Sequence, residues 1–118
     1  MAIPSGGGSE VLKRAYKGAN DNAWFIAIDG VANHIYTIIS IVVVEVGGAE
    51  EALTMRLLAN GSSSAGDEAE FVKEHTLPAK STFVWNDRIV LTGTDHLEIY
   101  TTAGNCDIWV SYIDQDWT

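Results

Sequence analysis

Eight of the thirteen residues from His34 to Val46 are Ile or Val. Two heavy atoms on Cβ make these side chains stiff, which disfavours a helix and suits a pleated strand. Successive strand residues face opposite ways, and both alternating sets are mostly apolar here. The run therefore predicts a long central strand, covered on both faces in its middle. It is broken by Tyr36, Thr37, Ser40 and Glu45. That leaves it short of the roughly 20 apolar residues a membrane helix needs, so no membrane partner is expected.

The rest of the chain repeats this behaviour in shorter pieces. Val11–Tyr16 alternates, with Val11, Lys13 and Ala15 opposed to Leu12, Arg14 and Tyr16. Further strands are predicted over Ala23–Ile28, Ala52–Ala59, Ala69–Leu77, Thr82–Trp85, Arg88–Thr92, His96–Thr102 and Asp107–Ile113. In Ala52–Ala59, Leu53, Leu57 and Leu58 also fit a helix, but Thr54, Arg56 and Asn60 alternate with Leu53, Met55 and Leu57, which favours a strand. Turn signals divide them, among them Asp29-Gly30, Gly47-Gly48, Asn86-Asp87 and Ala103-Gly104-Asn105. Within His96–Thr102, Leu97, Ile99 and Thr101 are expected inward and His96, Glu98, Tyr100 and Thr102 outward. About eight strands at this spacing, with no convincing helix, indicate an all-β antiparallel sandwich or barrel.

With 118 residues, one domain is expected. The formal charge of -9 is unevenly distributed. Residues 1–20 hold Lys13, Arg14 and Lys17 against Glu10, a balance of +2, and the remaining residues carry -11. A general nucleic-acid binder needs clustered bases, so nucleic acid is not an expected partner. The basic segment, with the Gly- and Ser-rich stretch Ser5–Ser9, reads as a flexible or extended arm over residues 1–20 ahead of a β-domain at 21–118. The first residues lack the pattern of a secretory leader.

No motif announces chemistry. His34, His75 and His96 have no second histidine at ligand spacing, although His96 and Glu98 share a strand face. Asp67, Glu68 and Glu70, or Asp114 and Asp116, are acids without the spacing of a calcium loop. No nucleophile elbow or phosphate-binding glycine loop occurs. Cys106 adjoins Asp107, and a carboxylate disfavours a thiolate, so a structural role is expected. A non-enzyme with no cofactor and no metal is the resulting expectation. Four Trp and four Tyr offer interface or sugar-binding surfaces, Trp24, Trp85 and Trp109 among them. Trp117, close to the last residue, is expected to pack on its own domain or on a neighbour.

Several stretches resemble the small β-sandwich structural proteins of tailed bacteriophages. They are Thr76-Leu-Pro-Ala-Lys-Ser-Thr-Phe83, Arg88-Ile-Val-Leu91, Gly93-Thr-Asp-His-Leu97 and Asp107-Ile-Trp-Val-Ser-Tyr-Ile113, with Glu10-Val-Leu-Lys-Arg-Ala15 and Ile35-Tyr-Thr-Ile-Ile-Ser40. The Gly93-Thr94-Asp95 turn is one residue longer than the Gly-Asp turn of that group. The resemblance implies a jelly-roll domain serving as capsid cement or decoration. It would be a homotrimer on the outer surface of the head, bound to the major capsid protein or another virion protein. A tail, neck or baseplate component is the alternative, and a carbohydrate-binding module a second one. The expected partner contacts are Val11, Leu12, Lys13, Arg14 and Tyr16 of the arm, with Trp24 and Trp117. The arm would add a strand to a neighbour's sheet edge.

Overall fold

The computed structural model describes residues 9–20 and 22–117. Nine strands follow one another: β1 (Ser9–Asn20), β2 (Trp24–Asp29), β3 (His34–Glu45), β4 (Glu51–Leu58), β5 (Glu68–Leu77), β6 (Thr82–Trp85), β7 (Ile89–Thr92), β8 (His96–Thr101) and β9 (Cys106–Asp116). A short 3-10 turn, Ala59–Gly61, follows β4. One sheet has the order β1-β9-β3-β6, with β7 also on β3, and the other the order β2-β8-β4-β5. Every pairing is antiparallel.

β6 and β7 pair with successive parts of the same strand, β3, so they count as one interrupted strand. Renumbered that way, the sheets read 1-8-3-6 and 2-7-4-5. The partners 1·8, 2·7, 3·6 and 4·5 are those of a single long hairpin wound into two layers, a jelly roll. The arm expected over residues 1–20 is therefore, from Ser9 to Asn20, the first strand of the roll. Its alternation matches the exposed edge of β9 and is satisfied there. The Ser5–Ser9 linker falls, apart from Ser9, outside the described residues.

The core lies between the sheets. Tyr36, Ile38, Ile41 and Val43 of β3 meet Leu53 and Met55 of β4, Leu97 and Ile99 of β8, and Ile108 and Val110 of β9. Burying each large aliphatic side chain contributes about 1.5–3 kcal/mol before entropy is counted. β3 shifts register between Ile38 and Ser40. The shift keeps Ile38 and Ile41 both inward, as a bulge does.

The outward set of β8 departs from its expectation, because Glu98 is buried. The Arg56 guanidinium covers it, donating from Nη2 to Glu98 Oε1 at 2.8 Å and from Nη1 to Glu68 Oε2 at 2.8 Å. Glu45 is also buried. Its carboxylate accepts backbone N–H groups from Gly47, Gly48, Ala49 and Lys80 at 2.7–3.2 Å. Burial alone would push this carboxyl up. The four donors outweigh that and hold it below its ordinary value. Glu45 thereby fixes the two loops that close one end of the roll.

Candidate functional site: an open sheet face

β3 is central, as its sequence demands, but only one of its faces is covered. The inner set packs on the second sheet, whereas the outer set, Val42 and Val44 among them, has no layer over it. Register extends this face across neighbouring strands. Tyr16 of β1 pairs with Trp109 of β9, Trp109 with Val42 of β3, and Val42 with Val84 of β6. A second row of four pairs the same way further along: Leu12 with Ile113, Ile113 with Thr37, and Thr37 with Val90.

These rows expose large side chains. Leu12 is 71% exposed, Tyr16 58%, Val84 55%, Val90 58% and Trp109 45%. Single exposed apolar residues are ordinary, whereas a contiguous stripe of them marks an interface. Tyr16 and Trp109 stack with ring centroids 5.4 Å apart. The Arg14 guanidinium lies 5.0 Å from the Tyr16 centroid and 5.1 Å from that of Trp109. This cation–π arrangement keeps the charge over the rings at the edge of the face. Shallow depressions of about 260 and 340 Å³ flank Trp109, one reaching Val42 and Val44, the other Leu12 and Ser111.

The edge strand is anchored beneath this face. Lys13 Nζ donates to Asp114 Oδ2 at 2.7 Å, and His34 Nδ1 lies 2.6 Å from Asp114 Oδ1. Burial raises the Asp114 carboxyl, but the hydrogen bonds from Lys13 and His34 prevail and hold it below its ordinary value. Lys13 is shifted upward, first by its hydrogen bond to Asp114.

The expected partner residues do not form one surface. Leu12, Arg14 and Tyr16 sit on the open face. Val11 and Lys13 belong to the opposite set of β1, Val11 paired with Asp114 and 47% exposed. Trp24 lies on the other sheet, with Arg56 Cζ 3.7 Å from its ring centroid and Tyr100 tilted beside it at 5.2 Å. Trp117 sits at one end of the roll, its backbone N–H donating to Asn33 O at 3.3 Å. Val42, Val84 and Val90 join the face without having been expected as contacts, and Trp109, expected as a sugar platform, joins it too. Their signal was the alternation of Asp107–Ile113 and the two-sided apolar character of β3.

Each tryptophan that a sugar platform would use carries a neighbour of its own: Arg56 on Trp24, Tyr16 on Trp109, and Phe71 edge-on to Trp85 at 5.1 Å. Cys106 is buried, and its thiol is pushed up to about 12, first by burial and then by the Glu51 carboxylate. Among the described residues, no group of three or more His, Cys, Asp or Glu is placed to hold a metal ion. No family model, curated protein or solved structure matches the chain.

Proposed function

We propose that this chain is a structural protein of a tailed bacteriophage, a cement or decoration protein. It binds the outside of the head shell through the open face of the β1-β9-β3 sheet. The observation that carries the reading is the uncovered row Tyr16, Trp109, Val42 and Val84, which crosses β3, a strand whose sequence is apolar on both sides. Such a row gains free energy when a second surface removes it from water. The resemblance of the C-terminal half to phage sandwich proteins supplies the class of partner. Repetition supplies the strength: weak docking at many shell sites, in closed trimers, resists expansion from within. The acidic remainder of the surface keeps a densely repeated protein soluble and away from packaged nucleic acid.

The test is the protein's location and copy number in purified particles. Hundreds of copies on the head exterior support cement, and a dozen or so in a ring indicate a tail or neck component instead. Absence from particles overturns the reading. Val84→Lys, at an exposed position of the open face, is expected to lower particle occupancy at least tenfold. Ile26→Lys, at an exposed position of the opposite sheet, is expected to leave it unchanged.

A further inference from the structure

The first strand is held in an unusual way. Of the twelve residues of β1, only Asn20 is buried and only Ala15 is half-buried. Ten are exposed, on both sides of the strand, so β1 adds almost nothing to the core between the sheets. What holds it is its ladder with β9, the Lys13–Asp114 ion pair, and the stack of Tyr16 on Trp109 with Arg14 over both. Apart from the Asn20 end, each of these attachments runs to β9.

The connection to the roll is built differently. Asn20 is fixed to the body, its side-chain amide donating to Thr101 Oγ1 at 2.9 Å and to Ala23 O at 3.2 Å. Just before it, between Lys17 and Asn20, the ladder shifts register. Ala19 there has φ 49, a left-handed conformation that a residue with a Cβ adopts only under constraint. Gly18 precedes it. Ala19 N–H donates to Asp107 Oδ1 of β9 at 2.9 Å, so a fixed point, a left-handed residue and a glycine in sequence mark where β1 would pivot once its bonds to β9 are released.

We propose that β1 is an exchanged strand. The Ser9–Lys17 segment of one copy pairs with β9 of a second copy, in the register it has with its own. The second copy is the occupant because charge and pattern match there. The buried Asp114 at that edge needs a cation, and this chain supplies it at Lys13. A swung-out β1 leaves behind an open β9 edge at which Asp114 keeps His34 but loses Lys13, so exchange in one copy calls for exchange in the next. Every contact made within one chain is remade between two, which is why such swaps need few new interactions. This goes beyond docking on a particle and rests on that reading only for its use. The exchange belongs to the free protein, so either proposal can fail while the other stands.

The test uses Leu12→Cys and Ile113→Cys, which replace directly paired residues of β1 and β9. Opposed strand residues lie within the roughly 4.4–6.8 Å Cα separation a disulfide spans. The two single variants are mixed, co-refolded from urea under reductant, and oxidised once folded. The expected result is a disulfide-linked species with one chain of each kind, at least tenfold above the like–like species from either variant alone. Absence of the mixed species, while the double variant closes within one chain, overturns the proposal. Arg14→Cys with Ser111→Cys, the next outward pair, repeats the test should either first variant fail to fold. Absence of mixed species in both pairs overturns it as well.

Discussion

Lys13 and Asp114 are 101 residues apart in sequence and 2.7 Å apart in the fold. The ammonium comes from an edge strand that is almost wholly exposed, and the carboxylate is buried at 5% exposure. This pair is an ion pair that ties the first strand to the last. His34, from β3, holds the other carboxylate oxygen, so three neighbouring strands meet at one acid.

Lys13→Ala should loosen β1 without unfolding the roll. The Lys13 side chain is 46% exposed, which places the pair between surface bridges and fully buried ones, and the expected loss is about 1–2 kcal/mol. The sign with pH follows from the two shifts. The Asp114 carboxyl sits below its ordinary 3.8, so its contribution is complete above that value and is lost as pH falls through the folded pKa. Lys13 sits above its ordinary 10.5, so its contribution is complete below that value and is lost as pH rises through the folded pKa. Urea unfolding from pH 3 to 11 should show a gap between wild type and variant that is widest in the middle and narrows at both ends. A constant gap would mean that lost packing of the lysine stem accounts for the effect.

Gly30→Ala should cost about 2–3 kcal/mol, in the range of overpacked cores. A Cβ at Gly30 would overlap the carbonyl oxygens of Gly93 and Asp95, and these belong to backbone that cannot rotate aside. Gly30 also donates its N–H to Asp95 O at 3.0 Å. Gly66→Ala is the contrast: its Cβ would meet nothing within 4 Å, and the only cost arises from φ +93. Thermal unfolding of the two variants should rank Gly30→Ala as clearly less stable. The reverse order would mean that the close approach at Gly30 relaxes easily.

Gly30 also illustrates what the sequence could and could not reveal. Asp29-Gly30 read as a turn, but the chain turns later, at Ala32 and Asn33, where His34 N–H donates to Val31 O at 3.2 Å and Asn33 has φ 66. The glycine is there for close approach to another loop, and nothing local in the sequence records which backbone passes nearby. Strand positions were legible because alternation is local: Leu97, Ile99 and Thr101, expected inward, are the buried set of β8. The open face was legible only in part. β3 announced apolar surface on both sides, but whether the second side is covered within the chain depends on how many layers the fold has. Glu98 misled for a related reason. Alternation placed it outward, and only the crossing of Arg56 from β4, 42 residues away, buried it. The Lys13–Asp114 bridge needed the winding of the roll, which no spacing along the chain encodes.

Cys106 should be unreactive in the folded protein. It is fully buried at the start of β9, with its thiol pushed up to about 12, above its ordinary 9.0, first by burial and then by the carboxylates of Glu51 and Glu45. At pH 8 the native thiolate fraction is then of order 10⁻⁴, and access is closed besides. An aromatic disulfide reagent should label less than one equivalent per hour in buffer and a full equivalent at once in urea. Between those limits, the labelling rate should follow the fraction unfolded. The same shift has a stability sign. A folded pKa above the unfolded one gives a contribution that is complete below pH 9 and is lost as pH rises from there toward 12. Cys106→Ala should therefore flatten the alkaline limb of the stability curve while leaving the acid limb unchanged. Rapid labelling of the native protein at pH 8, without urea, would show that β9 opens at this end far more often than its buried pairing with β3 and Asn20 implies.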